Sequence, residues 1–339
     1  MYLNYYIWVF FTPIMLISNF LALMMTSWFS LWVLMEINTL CFIFIMAIKA
    51  AKKYILIDYF LTQCLCSLIY LFSYFSFFSH LSEYMIIPML LAVLTKLGIP
   101  PFHMWYSKMF YDLDWMSIYF LSVLQKIIPL IVMNMMINLM FYNLNHSLIL
   151  HLVVSIIWCG MMGLVENRLK LINVYSSIIN ISWIILMMFI SDLAALIYFI
   201  LYSIVSFNLI YICNNYNLLN IQDFSIMKVK NIYSYYFILL VFFSLGGLPP
   251  FFGFMMKWVT FSELTNMVSF NCLVIYVFAS LISLGFYIRN IYMILTLSSI
   301  KIKNFSWINL DKSKSFSNDY NLYLISMILF FSIFIYEIL

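Results

Sequence analysis

The sequence KLGIPPFHMW at residues 96–105 recurs in altered form as SLGGLPPFFGFMMKW at residues 244–258. Both copies lie inside long apolar segments, and in each a glycine stands two positions before a pair of prolines. Two consecutive prolines remove two backbone N–H donors and clash with the preceding turn, so each segment is expected to be a helix that breaks and then resumes. We assign the breaks to Gly98, Pro100, Pro101, His103, Gly246, Gly247, Pro249 and Pro250.

The composition excludes a water-soluble globular protein. Of the 339 residues, 66% are hydrophobic and only 8% are charged, whereas ordinary soluble domains are about 25% charged. So few charged side chains cannot cover the outside of a soluble chain, and a mean hydropathy of +1.06 requires lipid as the solvent. Long series of alternating apolar and polar residues, typical of a membrane barrel, do not occur. The chain is therefore predicted to be an all-α polytopic membrane protein.

The apolar runs divide the chain into about eleven predicted transmembrane helices, since each span requires about 20 apolar residues. The predicted spans are 5–25, 27–48, 57–79, 84–110, 115–141, 147–164, 171–190, 193–214, 233–262, 267–297 and 321–338.

Basic residues fall on one side of this arrangement. They cluster at 49–53, 168–170, 228–230 and 301–314, after spans two, six, eight and ten, whereas the opposite connections contain neither Lys nor Arg. By the positive-inside rule this asymmetry places the N-terminus on the positive side, in a cytosol or a mitochondrial matrix.

The two break sequences lie in spans four and nine, which are five spans apart and therefore cross the membrane in opposite directions. Matched broken helices of opposite direction are typical of inverted repeats, which handle ions near the bilayer midplane. The alternative is that both kinks only shape helix packing, as single proline kinks commonly do.

Four ionisable residues lie well inside predicted spans: Glu36, Lys96, Lys126 and Lys257. A charge at the centre of a span costs roughly 2.5–3.5 kcal/mol, so these side chains are expected to face one another or water. Buried carboxylates and ammonium groups can exchange protons near neutral pH, and the four residues are therefore predicted to form a proton relay. Structural ion pairing remains open for Glu36 and for Lys126, and Lys257 alternatively reaches the end of its span. His103 either shuttles protons or satisfies carbonyls that the break frees.

No redox or nucleotide-binding motif is present. The chain lacks a Walker-type GxxxxGK[ST] sequence, a GxGxxG sequence after a strand, and a cysteine cluster suited to iron–sulfur or zinc. The six cysteines are interpreted as packing residues, and no metal or cofactor is predicted in this chain. The basic residues are assigned to topology and to phospholipid contacts, and no nucleic-acid partner is expected.

Beyond the two break sequences, the strings WVLMEIN (32–38), YFLTQ (59–63), LQKIIP (124–129) and YSSIINISW (175–183) occur in an order that resembles one known family. This family is NADH-ubiquinone oxidoreductase chain 2, the antiporter-like membrane subunit of respiratory complex I. The resemblance covers most of the chain, although the last 80 residues contribute little to it.

The resemblance implies a proton-pumping module of two inverted five-helix repeats, at residues 5–141 and 147–297, followed by a positive-side loop at 298–320 and a closing helix at 321–338. By this analogy Glu36 and Lys96 form a charge pair, Lys126 is the central relay lysine, and Lys257 is the lysine of the second broken helix. Protons would cross the mitochondrial inner membrane, with the N-terminus in the matrix.

The resemblance also implies partners and cofactors outside this chain. NADH, flavin, iron–sulfur clusters and ubiquinone would belong to other subunits, and electrons would pass there. Expected partners are other membrane-arm subunits, including the antiporter-like subunit 4 and the small helical subunits toward the quinone site, together with accessory subunits.

Two departures and two alternatives accompany the resemblance. After PFHMW the family commonly has a proline and an acid, whereas this chain has Ser107 and Lys108, and Met256 replaces a frequent proline before Lys257. The first alternative is a stand-alone or modular cation/proton antiporter, in which the same lysines would serve. The second is a scaffold whose charges only fix the register of the helices.

Overall fold

A computed structural model describes residues 2–48, 53–78, 85–140, 142–224, 227, 232–249, 251–267 and 270–299. The predicted closing helix at 321–338, nearly all of the predicted loop at 298–320, and Pro250 lie outside the described residues. The division of the chain into two repeats stays a prediction.

The described part of the chain is helical, and its helices follow the predicted spans in order. They are α1 (Tyr2–Met24), α2 (Trp28–Ile48), α3 (Lys53–Phe78), α4 (Ile86–Leu97), α5 (Met104–Asp112), α6 (Trp115–Ser122), α7 (Ile127–Leu139), α8 (Tyr142–Val165), α9 (Leu169–Met188), α10 (Asp192–Tyr216), α11 (Ile232–Gly246), α12 (Phe252–Met267) and α13 (Phe270–Ser299). Within these residues the β-structure is a single isolated bridge between Arg168 and Asn220.

Seven helical segments of the described chain are long and apolar enough to cross a membrane, and three shorter apolar helices accompany them. The all-helical polytopic membrane class is thus confirmed, whereas the total of eleven spans stays a prediction. Predicted spans four and nine are the pairs α4–α5 and α11–α12, each interrupted at the Gly-x-Pro-Pro sequence.

The two breaks share one backbone design. Gly98 and Gly247 both have a φ of 73°, in the left-handed region that glycine adopts without steric cost. The Gly98 amide donates to the Thr95 carbonyl at 3.1 Å, and the Gly247 amide donates to the Ser244 carbonyl at 3.3 Å. The amides that follow, those of Ile99 and Leu248, donate to the carbonyls of Leu94 and Phe243. These second hydrogen bonds complete a Schellman cap in each copy. These caps satisfy carbonyls at the end of the first half-helix that lipid could not satisfy.

Predicted span five is also interrupted, which the sequence analysis did not anticipate. Helix α6 ends at Ser122, and a 3₁₀ turn at Leu124–Lys126 precedes α7. Pro129 explains this turn, because a proline ring clashes with the carbonyl four residues earlier, here that of Gln125. The interruption places Lys126 at a turn rather than inside a regular helix.

Helix α9 lies in the interior of the bundle, and all of its residues except Lys170 and Met188 are buried. It packs against α5, α7, α8 and α10. Its buried surface is partly polar and carries Asn173, Ser176, Ser177, Asn180 and Ser182. The helix therefore offers polar groups in the interior between the two broken helices.

Basic side chains tie several helix ends together at one end of the bundle. Lys170 of α9 donates to the carbonyl of Leu113, just after α5, at 2.6 Å. Arg289 of α13 donates to the carbonyls of Gly163 and Glu166 at 3.2 and 3.0 Å, at the end of α8. We call this the basic end of the bundle, and its assignment to the positive side of the membrane stays a prediction.

Candidate functional site

The structure brings Glu36 of α2 and Lys96 of α4 together, as the relay prediction requires. Lys96 Nζ lies 4.0 Å from Glu36 Oε1, a long ion pair between a buried ammonium and a carboxylate whose side chain is 23% exposed. The ammonium also lies 3.8 Å from the sulfur of Met35. Lys96 occupies the last turn of α4, directly before the Gly98 cap. The first break therefore fixes where this ammonium is presented to α2.

Lys126 is almost fully buried, at 2% exposure. Its Nζ lies 4.4 Å from the centre of the Tyr106 ring, in a cation–π arrangement. Within the described residues Nζ has no hydrogen-bond partner. Because an ammonium has three donors to satisfy, this geometry requires either water or loss of the proton.

A small cavity of about 20 Å³ lies between Lys96 and Lys126, and both side chains line it. This volume holds about one water molecule, since a cavity of roughly 10–15 Å³ is the minimum for one. The polar part of the wall includes Asn38, Thr39, Tyr59, Gln63 and Gln125. The cavity is therefore suited to a water that links the two lysines.

Three amide side chains hold the turn that carries Lys126, and the sequence analysis did not assign them a role. Asn38 of α2 donates to the Asn19 side-chain oxygen at 3.0 Å, and Gln125 donates to the Asn38 carbonyl at 3.0 Å. Asn19 of α1 donates to the Leu124 carbonyl at 3.1 Å. The signal available in the sequence was an amide inside an apolar run, which lipid tolerates only with a partner.

Lys257 lies near the second break and is also buried, at 5% exposure. Its Nζ donates to the Gly246 carbonyl at 2.9 Å and lies 3.5 Å from the Ser283 hydroxyl. The Trp183 ring centre is 5.9 Å away. The ammonium thus points back across the break to the end of α11, and not toward the end of its own helix.

Hydroxyl and amide groups on and around α9 lie between Lys126 and Lys257. Tyr106, which covers Lys126, shares a 2.8 Å hydrogen bond with Ser177. Near the next turn of α9, Asn180 donates to the Tyr287 hydroxyl at 3.3 Å and accepts from Tyr198 at 3.2 Å. Tyr287 in turn packs against the backbone at Gly246, the residue that Lys257 contacts. None of these groups was singled out from the sequence, because each is an ordinary polar residue in an apolar run.

His103 lies directly after the first break and is buried. Its ring Nδ1, like that of His151 on α8, is buried and has no hydrogen-bond partner within the described residues. The two roles considered for His103, proton shuttling and satisfying freed carbonyls, both stay predictions.

Comparison with known proteins places this geometry in a family. The family described as NADH:quinone oxidoreductase/Mrp antiporter, transmembrane, matches residues 25–283, a range that includes all four charged residues and both breaks. The chain belongs to this family.

Two relatives that align with most of this chain share one name. The chain is 34% identical over 333 residues to NADH-ubiquinone oxidoreductase chain 2 of Aedes aegypti, which covers 94% of this chain and 93% of the relative. It is 31% identical over 301 residues to the protein of the same name from Anopheles gambiae, covering 85% and 86%.

A solved structure shares the family fold. A chain of respiratory complex I from Thermus thermophilus, solved with bound aureothin, superposes with a TM-score of 0.70 at 17% identity. The superposition covers 78% of this chain and 65% of that chain, so this protein spans about two thirds of the length of the bacterial one.

The described residues also bear on metal binding. In that part of the chain no group of three or more His, Cys, Asp or Glu side chains is placed to hold a metal ion. The five described cysteines, Cys41, Cys64, Cys66, Cys159 and Cys213, are free thiols. The side chain of Cys272 lies outside the described residues.

Proposed function

We propose that this chain is the antiporter-like subunit in the membrane arm of a proton-translocating NADH:ubiquinone oxidoreductase, and that Glu36, Lys96, Lys126 and Lys257 carry its proton relay. The observation that supports this most strongly is the burial of Lys126 without a hydrogen-bond partner beside a water-sized cavity that Lys96 also lines. A side chain that only locked helices together would be expected to have its donors satisfied.

The relay begins with the Glu36–Lys96 pair. Two unit charges 4 Å apart interact by about 4 kcal/mol at an effective dielectric constant of about 20. While the pair is closed, the carboxylate offsets the Lys96 charge. When the pair separates, the uncompensated ammonium disfavours a second positive charge on Lys126 across the cavity, and Lys126 gives up its proton. Reclosing the pair allows Lys126 to be protonated again.

The proton leaves Lys126 through groups on α9. Tyr106 and Ser177 lie next to Lys126, and Asn180 and Tyr287 continue the polar surface toward Lys257. Asn180 has no titratable proton, so it orients the Tyr198 and Tyr287 hydroxyls while protons move between hydroxyls and water. Lys257 receives the charge beside the Gly246 carbonyl, which stabilises an ammonium by accepting its hydrogen bond.

The chain would work inside a larger assembly in the mitochondrial inner membrane, with its N-terminus in the matrix. Its named relatives and the complex I chain of like fold support this setting. NADH, flavin, iron–sulfur clusters and ubiquinone would then act in other subunits, and the redox reaction there would open and close the Glu36–Lys96 pair. Its neighbours would be the antiporter-like subunit 4, the small helical subunits toward the quinone site, and accessory subunits.

The test is the Lys126→Met substitution in the assembled complex, because methionine preserves length and apolar volume while removing the charge. We expect NADH-driven proton pumping to fall at least about tenfold, since positioned proton-transfer groups contribute roughly 10²–10⁴-fold. The amount of assembled complex is measured in parallel. Normal pumping in an assembled complex would contradict the relay and favour the scaffold.

A second candidate, a stand-alone or modular cation/proton antiporter, is favoured by the shared family description. It predicts cation/proton exchange in vesicles without NADH. The absence of a carboxylate cluster in the described residues gives no coordination site for such a cation, which favours the first candidate.

A further inference from the structure

One buried donor near the first ion pair has no role in the relay proposed so far. The indole Nε1 of Trp32 on α2 is buried, and within the described residues it has no hydrogen-bond partner. The ring itself is held in place by stacking on Phe29, with the ring centres 5.7 Å apart. A buried N–H without a partner costs about as much free energy as a lost hydrogen bond, so its retention calls for an explanation.

An acceptor for this donor lies one helical turn further along α2, at the carboxylate of Glu36. Residues i and i+4 of a helix have Cβ atoms about 5–6 Å apart, and long side chains lean toward the helix N-terminus. The Glu36 carboxyl group therefore reaches back over the turn that carries Trp32. Glu36 Oε1 is buried as well, and it has no hydrogen-bond partner in the part of the chain that the structure describes.

The contact between Glu36 and Lys96 is too long to satisfy this oxygen. Nζ and Oε1 are 4.0 Å apart, whereas a hydrogen bond between an ammonium and a carboxylate measures about 2.7–2.9 Å. The carboxylate is thus attracted to Lys96 without being bonded to it. Its side chain is 23% exposed, which leaves it room to turn. The observed distance is intermediate between a closed pair and a separated one.

The two partners need different surroundings when the pair separates. The Lys96 ammonium lies 3.8 Å from the Met35 sulfur and lines the water-sized cavity that it shares with Lys126, so water can solvate it there. The carboxylate needs a donor of its own, because an ionised group in an apolar span is costly without a partner or water. The Trp32 N–H is a donor of this kind on the same helix.

We propose that Trp32 is a positioning residue of the relay, whose indole N–H binds the Glu36 carboxylate when the Glu36–Lys96 pair separates and so holds the pair open. This inference rests on the proposed function and names the group that controls its first step. The carboxylate exchanges one partner for the other without gaining or losing a proton. In the open arrangement the Lys96 ammonium faces the cavity, and Lys126 releases its proton in response.

Loss of the donor is expected to act on the open arrangement alone. Without the indole N–H the separated carboxylate has no partner, and the open arrangement becomes less populated. One hydrogen bond to an ionised group is strong enough to change such a population about tenfold. The closed pair keeps both of its charges, so assembly of the complex is expected to be unchanged.

Two substitutions separate the N–H of Trp32 from its ring. Trp32→Phe keeps an aromatic ring and removes the donor, whereas Trp32→Gln removes the ring and keeps an N–H donor. We expect NADH-driven pumping per assembled complex to fall about tenfold in Trp32→Phe and less than about threefold in Trp32→Gln. An indole that only packs would give the reverse order. That order, or normal pumping in Trp32→Phe, would overturn the proposal.

Trp28→Phe is the matched control, because Trp28 lies one turn before Trp32 on the same helix and two turns from Glu36. We expect it to pump like the unsubstituted complex, and a loss equal to that of Trp32→Phe would count against the proposal. Should Trp32→Gln not assemble, Trp32→His supplies both a ring and an N–H. Pumping by Trp32→His as low as by Trp32→Phe would again overturn the exchange.

The relay and the role of Trp32 fail in different ways. Normal pumping in Lys126→Met contradicts the relay itself. Loss of pumping in Lys126→Met together with normal pumping in Trp32→Phe contradicts only the partner exchange at Glu36.

Discussion

The first and second broken helices share the same glycine cap and differ in chemistry. Gly98 and Gly247 take the same left-handed conformation and the same Schellman hydrogen bonds. The Phe102 amide donates to the Ile99 carbonyl at 3.0 Å, and the Phe251 amide donates to the Leu248 carbonyl at 2.8 Å. The break is thus a repeated local structure that caps carbonyls inside the bundle.

The lysines occupy different places relative to these breaks. Lys96 lies two residues before Gly98 and faces the carboxylate of Glu36, whereas Lys257 lies ten residues after Gly247 and faces a backbone carbonyl. Lys108 lies ten residues after Gly98, in the position that matches Lys257, yet it is exposed. The break therefore provides a capped turn, and the position of the lysine decides whether it has an acid, a carbonyl or water as its partner.

The largest effect is expected from adding a side-chain atom where α11 and α12 approach each other most closely, at the second break. A Cβ on Gly253 would overlap the Ser244 carbonyl oxygen, so Gly253→Ala forces α11 and α12 apart. Overpacking of this kind costs about 1–3 kcal/mol or more, and we expect assembled complex to fall sharply. Gly285→Ala is the control, because its Cβ meets no atom within 4 Å. Equal assembly of the two variants would mean that the second break is not packed as described.

The two lysines at matching positions provide the next test. We expect Lys257→Met to lower NADH-driven pumping at least about tenfold, as for other proton-transfer groups, and Lys108→Met to change it less than about twofold, because an exposed ammonium is screened by water. Pumping and assembly are measured for both. A similar loss in both variants would show that the matching positions are functionally equivalent, contrary to their different burial.

A smaller effect is expected from removing the charges of the Glu36–Lys96 pair. These substitutions distinguish a relay from a structural ion pair at the first break. Breaking a buried pair by removing one partner costs about 3–5 kcal/mol, less where one group is partly exposed as Glu36 is, so Glu36→Gln alone lowers both assembly and pumping. The double variant Glu36→Gln with Lys96→Met removes both charges and is expected to recover assembly but not pumping. Recovery of both would indicate that this pair only locks α2 to α4.

Much of the fold could be predicted because its determinants are local. The Pro-Pro pairs delete donors wherever they lie, so the positions of the breaks follow from residues 96–105 and 244–258 alone. Pro129 is a similar local signal for the 3₁₀ turn before α7, although no interruption was predicted there. The four ionisable residues inside the spans were also recognisable from the sequence, because a charge in an apolar span is costly unless it has a partner or water.

The partners of those charges could not be predicted, because each lies on another helix. The amides that hold the Lys126 turn come from α1 and α2, and the Ser283 hydroxyl near Lys257 comes from α13. The sequence by itself determined an all-helical membrane chain with two matched breaks and four ionisable residues inside its spans, since apolar run length and missing backbone donors act within a few residues. Only the tertiary structure decided that Lys257 is buried while Lys108 is exposed, because burial depends on which helices pack against a position.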